Sequence, residues 1–565
     1  MRVPQRYITL LIITLLCSSL TYGQGDEEKV PFWIFFRDKE VTDETGFNPA
    51  DYDFPQLSQR ALDRRAERGT IVGPTYRDLP VSATYIDEIL GGDVKVRTVS
   101  RWLNAVSILA TPAYIEQLMG NSIVKKTKRI HKVTKRSIRR ITRDDEIYVT
   151  DGDYGASFDQ NEQINAVAAH ELGYTGTDVW LLMLDTGFYT DHLAFQQERI
   201  VAEYDFIQSD SITSNQDGDP AGQHNHGTST ASAAGGYIEG ELLGTAYSCK
   251  YLLAKTEMVN DEIEAEEDFY VAALEWGEAL GADIASSSLG YLDWYTYDDL
   301  DGETAVTTRG VNFAVSLGMV CVTAAGNEGN SSWHYIIAPA DADYVISVGA
   351  VDEFNVAPSF SSHGPTSDGR IKPEVLARGV STFLAGTDST NHFYSGSGTS
   401  FATPLIAGAC ALILEAHPNW TPLMVREALM MTADGNTSPD NTRGFGLVDV
   451  VAAIDYDFGI VPGDVSEDGA LNISDAVLLL EWVLSDLEIT EVQFEVADIN
   501  SDNSVLDEGL GTNQLVVGRV VHNIGNSHLS GAVLRSPSEV SEIEAESTKL
   551  LVTTTAANNT NSLVS

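Results

Sequence analysis

Between Tyr154 and Phe458, short runs of Val, Ile, Leu and Ala alternate with longer stretches of helical period. The runs Val179–Leu184, Ala282–Ser286, Met319–Ala324 and Tyr344–Val351 predict buried strands, and Ala265–Leu280 and Phe401–Ala416 predict helices between them. Strands and helices in alternation imply an α/β fold, a parallel sheet covered by helices on both faces. Ahead of this region, residues 24–124 predict a small α+β unit, with strands at Pro31–Phe36 and Val94–Val99 and a helix over Leu57–Arg68. Lys125–Arg143 has no hydrophobic periodicity and reads as an exposed linker that proteases could cut. At the N-terminus, Arg2 and Arg6 precede an apolar stretch, Tyr7–Leu16, and then small or polar residues up to Gly23. That stretch is too short for a membrane span and has the form of an export signal over residues 1–23. No later segment is long and apolar enough for a membrane helix. From Asp464 to Val521 two Asp-rich loops mark a further small unit. Residues 526–565, rich in Ser, Thr, Asn and Glu, predict a flexible tail.

Composition sharpens this division. At 565 residues the chain exceeds what one core usually organises, and 43% hydrophobic residues make it globular. The formal charge of −47 is unevenly spread. Residues 1–150 hold 23 Lys or Arg against 19 Asp or Glu, a balance of +4, whereas residues 151–565 hold 12 against 63, a balance of −51. Ten of the basic residues fall between Lys125 and Arg143. A body this acidic repels phosphate, so nucleic acid is excluded as its partner, and the acidity reads as a solvated surface. Cys17 leaves with the signal. Cys249, Cys321 and Cys410 lie in apolar surroundings and read as buried thiols rather than as a catalytic cysteine.

Three segments carry candidate chemistry. Asp185-Thr186-Gly187 follows the strand V-W-L-L-M-L, and the carboxyl end of a parallel strand is where open α/β sheets place their sites. His226-Gly227-Thr228 is followed by S-T-A-S-A-A-G-G, small residues that let a helix pack closely and hold an imidazole, the usual general base, at its start. The third is G-S-G-T-S-F-A-T-P, in which glycines precede Ser400 and Pro404 falls in the first turn of an apolar helix. A hydroxyl delivered at a helix N-terminus meets backbone N–H groups and the positive dipole end, which favour negative charge on an attacked carbonyl. Singly, each reads equally well as a turn or a cap.

Together, in the order Asp, His, Ser, they resemble the subtilisin-like serine peptidases, the subtilases. The resemblance spans about 300 residues, Tyr154–Phe458, and takes in further motifs. Ser288-Leu289-Gly290 is similar to the family's substrate-binding strand, and Ala324-Ala325-Gly326-Asn327 to the segment that lines the first specificity pocket and supplies the oxyanion asparagine. Phe360–Gly364, Lys372–Glu374 and Gly444–Asp449 resemble connecting motifs of the same family. The resemblance implies acyl transfer with Ser400 as nucleophile, His226 as general base, Asp185 orienting the imidazole, and Asn327 donating to the oxyanion. It implies protein or peptide substrates and no organic cofactor. The nucleophile segment is not G-x-S-x-G and the order is not Ser, Asp, His, so an α/β-hydrolase esterase is excluded. A non-catalytic scaffold of the same fold is the rival reading, opposed by the presence of every expected residue.

The front of the chain resembles the pro-region of secreted bacterial subtilases, most clearly at Leu57–Arg68 and at Ser100–Val106. It implies an extracellular enzyme made as a zymogen, with the basic pro-region acting as an intramolecular inhibitor. Cleavage is expected within Arg136–Tyr154. The expected boundaries are 1–23 for the signal, 24–145 for the pro-region, 150–458 for the catalytic domain, 462–523 for the loop module and 526–565 for the tail.

The loop module has its own logic. Asp464, Ser466 and Asp468 stand at alternate positions, Gly469 is sixth and Asp475 twelfth, the spacing that wraps a loop around Ca²⁺. An apolar helix, A-V-L-L-L-E-W-V-L, follows. A second copy begins with Asp498, Asn500 and Asp502, but Leu506 replaces a polar residue and Gly509 stands at the twelfth position. The pair resembles a type I dockerin repeat, which implies structural Ca²⁺ and a cohesin-type partner. The degraded second loop favours a calcium-stabilised appendage.

Overall fold

The computed structural model describes residues 29–91, 94–130, 132–133, 152–260, 262–263 and 266–458, with five short strands beyond residue 505. The expected signal, the cleavage region up to residue 151 and all seven predicted calcium ligands lie outside the described residues.

In chain order the main elements are β1 (Val30–Phe36), α1 (Gln59–Arg68), α2 (Ala83–Ile89), β2 (Lys95–Ser100), β3 (Ala105–Ala110), α3 (Pro112–Leu118) and β4 (Val124–Arg129). After the linker come β5 (Trp180–Asp185), β6 (Ile200–Asp205), α4 (Asn225–Gly235), β7 (Lys250–Lys255), α5 (Glu266–Leu280), β8 (Ile284–Ser287) and α6 (Val306–Ser316). The last are β9 (Val320–Ala324), β10 (Ile346–Val351), β11 (Val375–Arg378) and α7 (Thr399–Ala416). They divide into two compact units.

The first unit comprises residues 1–54, 75–134 and 262–268. Its sheet is antiparallel, in the order β2-β3-β1-β4. Phe32, Ile34 and Phe36 alternate along β1 and form its core with Val106, Ile108, Ile89 and Ile115. One expectation is corrected here. The start of the basic segment is an edge strand, not a linker: β4 pairs along β1 from Phe32↔Arg129 to Phe36↔Val124. Val124 is buried, and the Lys126 ammonium lies 4.6 Å from the centre of the Phe35 ring. Lysines on an outer strand discourage further pairing, which reconciles this basic composition with strand structure.

The second unit comprises residues 55–74, 135–261 and 269–565. Its centre is a seven-stranded parallel sheet in the order β11-β10-β9-β8-β5-β7-β6, the predicted α/β fold. β5 is buried along almost its whole length because side chains on both faces meet helices. Leu181 and Met183 join the core around α4 and α7, while Leu182, on the other face, packs against Gly277 of α5. One expectation from composition is corrected by α7, which is long and apolar enough to cross a membrane, although residues 399–414 are all buried as the central helix of this core.

Two boundaries differ from the sequence reading. Helix α1 falls in the second unit, not with the rest of residues 24–145, because its buried side chains are arginines whose partners belong to that unit. Beyond residue 505, strands at Leu506–Asp507, Gln514–Val517, Ala532–Arg535, Thr553–Thr555 and Asn561–Leu563 form an antiparallel sheet. They stand where the sequence reading expected the end of a helical calcium-loop module and a flexible tail, in segments rich in Val, Leu and Thr.

Candidate active site

Asp185 is the last residue of β5 and is fully buried. Its carboxylate meets three donors. The Thr186 N–H reaches Oδ1 at 2.7 Å, His226 Nδ1 lies 2.8 Å from the same oxygen, and the Thr230 hydroxyl donates to Oδ2 at 2.9 Å. His226 is the second residue of α4, with its side chain partly open to solvent. The helix start lies so close to the strand end that a Cβ on Gly227 would sit 2.9 Å from the Asp185 Cβ, so glycine is required there. Thr230 was not singled out from sequence. It stands one turn beyond His226, and the i, i+4 spacing was the signal that could have found it. His224 is otherwise engaged, its Nδ1 accepting the Asn215 N–H at 3.0 Å, and burial holds its pKa below the usual histidine value.

Ser400 is the second residue of α7, after Gly398 and Thr399. Its hydroxyl donates to the Ser288 carbonyl at 3.2 Å, not to His226. In return the Ser288 hydroxyl donates to the Ser400 carbonyl at 2.7 Å. Pro404 explains why that carbonyl is available. The proline sits inside the helix, in its second turn rather than the expected first, four residues after Ser400. Having no N–H, it leaves the Ser400 carbonyl without its helical partner, and Ser288 fills the place. His226 nevertheless lies beside the same helix start, its ring centre 5.8 Å from that of Phe401.

Asn327 faces the same helix start. Its Oδ1 accepts from the Thr399 N–H at 2.9 Å and from the Thr399 hydroxyl at 3.1 Å, which fixes the amide orientation and turns Nδ2 outward as a donor. Among the described residues, Leu289 and Gly290 use no backbone group in a hydrogen bond, while Tyr291 is tied to Ala338. Ala324, Ala325 and Gly326 are buried, and the Ala325 and Gly326 carbonyls accept from Ile337 and Ser362. They form a fixed wall. Asp185 ends β5, Ser288 follows β8 and Ala324–Asn327 run out of the end of β9; these strands are adjacent in the sheet, so all meet at its carboxyl edge.

The three cysteines are free and buried. Burial pushes the Cys249 thiol up to about 11 and Cys321 to about 12, and raises Cys410 as well, so none supplies a thiolate at neutral pH. Among the described residues no group of three His, Cys, Asp or Glu side chains could hold a metal ion.

A parallel sheet whose carboxyl edge carries a buried Asp–His pair, with a serine at a helix start, is an α/β architecture holding the groups that hydroxyl-based hydrolysis uses. Residues 176–446 match the model of the Subtilase family, and residues 31–145 match the Peptidase S8 propeptide domain of Bacteroidota. Subtilisin E of Bacillus subtilis (strain 168) is 35% identical over 296 residues, 52% of this chain and 69% of that protein. Subtilisin of Bacillus pumilus is 35% identical over 294 residues, 52% of this chain and 96% of its own length. Subtilisin Savinase of Lederbergia lenta is 32% identical over 293 residues, 52% of this chain and 96% of its own length. The chain belongs to the subtilase family, and it is a serine endopeptidase carrying an N-terminal propeptide domain.

Proposed function

We propose that the protein is exported as a zymogen and that Ser400, His226 and Asp185 carry out its peptide hydrolysis. His226 takes the Ser400 proton as the hydroxyl attacks the substrate carbonyl, and returns it to the leaving amine. Asp185 holds the imidazole tautomer and faces the imidazolium without taking the proton. The Asn327 amide and the Ser400 N–H receive the oxyanion. Leu289 and Gly290 pair with the substrate backbone, beside the pocket wall Ala324–Gly326. The observation that carries the reading is the 2.8 Å contact of His226 with a fully buried Asp185 that is already held by two other donors. The carboxylate is fixed before substrate arrives. Ser400→Ala abolishes casein hydrolysis on this reading; an unchanged rate overturns it.

The propeptide match supports residues 24–145 as the enzyme's own inhibitor, cut between Arg136 and Tyr154 after export. N-terminal sequencing of secreted enzyme tests this, and a start near Gln24 refutes it. In the C-terminal module, Asp464, Ser466, Asp468 and Asp475 are hard oxygen donors suited to Ca²⁺. They would stabilise the first loop, with Asp498, Asn500 and Asp502 offering a weaker set in the second, and no step of the reaction involves them. Capture of a cohesin-type partner in Ca²⁺ but not in chelator would make the module a docking device rather than an appendage.

A further inference from the structure

Helix α1 inverts the usual pattern, because the side chains it buries are Ala61, Arg64, Arg65 and Arg68. What they meet is the C-terminal ends of α5 and α6. A helix C-terminus carries partial negative charge, which a basic residue in the last turn normally offsets, but neither of these helices has one. Glu278 sits in the last turn of α5 and Asp283 follows three residues after its end, both buried. Two negative helix ends and two carboxylates concentrate negative charge that calls for compensation, to which the Trp180 N–H contributes with a 2.7 Å bond to Asp283 Oδ2.

The arginines supply that compensation. Arg65 grips Glu278 with both ends of its fork, Nε to Oε1 at 2.8 Å and Nη2 to Oε2 at 2.7 Å. Arg64 also pairs with Glu278, while Arg60 and Arg68 both pair with Asp283. The same side chains reach orphan carbonyls of the helix ends: Arg60 Nε to Gly281 at 3.0 Å, Arg64 Nε to Leu317 at 3.3 Å, and Arg64 Nη1 to Ala282. Backbone joins in, with the Ser58 N–H on the Ala279 carbonyl at 2.8 Å and the Ile71 N–H on Ser316 at 3.0 Å. The fit is close, since a Cβ on Gly281 would meet Arg60 Cγ at 2.7 Å and one on Gly318 would meet the Gly69 nitrogen at 2.9 Å.

We propose that residues 55–74 are a separate anchor of the pro-region, a basic helix seated in an acidic exosite made by the C-terminal ends of α5 and α6. These helices lead into β8 and β9, so the exosite lies at the amino edge of the sheet, opposite the edge that carries Asp185 and Asn327. It therefore acts without touching the catalytic groups: once the linker is cut, it keeps the pro-region on the enzyme and sets the delay before activity appears.

The inference rests on the zymogen reading, and one sample tests both. All four arginines precede the expected cut, so variants at these positions yield mature enzyme of unchanged sequence. Full-length Arg64→Ala/Arg65→Ala is compared with the parent by gel filtration after processing and by the lag before casein hydrolysis. Breaking buried, bidentate pairs predicts release faster by about 10²-fold or more, with loss of co-elution and a shorter lag. Equal lag and equal co-elution overturn the anchor. Should the double variant not be secreted, Arg60→Ala, whose side chain is about one-third exposed, decides: a lag shortened severalfold supports the anchor, and an unchanged lag overturns it. N-terminal sequencing of the same material separates the two failures, because a start near Gln24 sinks the zymogen reading, whereas a cut within 136–154 with unaltered release sinks only the anchor.

Discussion

Asp185→Asn tests how the buried carboxylate works. An asparagine has one acceptor oxygen where aspartate has two, so its orientation decides the outcome. With the amide oxygen in the Oδ1 position, it still accepts from the Thr186 N–H and from His226 Nδ1. Its NH₂ then faces the Thr230 hydroxyl, which can accept from it while donating to the Gly227 carbonyl, 3.0 Å away. The flipped amide would set NH₂ against the Thr186 N–H and strand a buried donor, at about 1–3 kcal/mol. The first orientation is favoured, and it preserves the productive tautomer of His226. What is lost is charge. For an imidazolium about 4 Å from a carboxylate at an effective dielectric constant of about 20, the attraction is about 4 kcal/mol, or about 10³ in rate. A reversed tautomer would cost about 10⁴, the loss seen in the chymotrypsin arrangement. Asp185→Ala, which strands the Thr186 N–H and leaves His226 Nδ1 without its acceptor, should fall below Asp185→Asn by at least about tenfold. The assay is steady-state hydrolysis of a peptide anilide by active-site-titrated enzyme, with the pro-region removed in trans. The expected result is kcat down about 10³-fold for asparagine with KM little changed. A loss under about tenfold refutes the role of the charge, and an asparagine variant no better than alanine refutes the orientation argument.

Asn327→Ala should lower kcat by about 10²–10³ with KM nearly unchanged, a magnitude established in subtilisin itself, and steady-state kinetics on the same anilide check it. Lys255 is buried between Asp205 and Asp219, 2.7 Å from each, and ties down the segment that leads to His226. Lys255→Met leaves two buried carboxylates unpaired and should destabilise the Ser400→Ala protein by about 3–5 kcal/mol in a urea titration. Burial in the first unit pushes the Asp268 carboxyl up to about 7, against the opposing pull of Arg97 at 3.5 Å. A carboxyl raised above its unfolded value holds its proton more tightly when folded, so stability is greatest below about pH 4 and is lost as pH rises through about 7. In the uncleaved Ser400→Ala chain, protection of residues 105–110 against urea should therefore fall between those limits, and Asp268→Asn should flatten the dependence.

The parts of the site legible in the sequence were those whose chemistry is written in adjacent residues. The turn after β5, the small-residue start of α4 and the glycines before Ser400 each predict a local geometry, and the structure has those geometries at Asp185, His226 and Ser400. Of the parallel strands, β5, β8, β9 and β10 were legible as apolar runs, whereas β7 and the two edge strands, β6 and β11, were not singled out. Hydrogen bonds between segments far apart in the chain were not. The exchange between Ser288 and Ser400 bridges 112 positions, and the role of Pro404 follows only once that carbonyl is seen to need a donor. Lys125–Arg129 misled for a different reason: its charge dominated, although Val124 and the stem of Lys126 are all that an edge strand must bury or cover.

The arginine helix shows where reading by hydrophobicity inverts. L-S-Q-R-A-L-D-R-R-A-E-R was recognisable as a helix, and the usual rule would turn its apolar positions inward and its arginines to water. Instead Arg64, Arg65 and Arg68 are buried, because carboxylates and open helix ends more than 200 residues away offer them more than water does. The chain's charge division, +4 ahead of −51, anticipated attraction between the two parts without locating it. Here the attraction is concentrated on two carboxylates, Glu278 and Asp283, within hydrogen-bond reach. A contact of that kind responds little to salt, since buried pairs are poorly screened, but strongly to the loss of one guanidinium. If net charge alone held the pro-region, raising the salt would release it and Arg64→Ala/Arg65→Ala would matter no more than removing two lysines from β4.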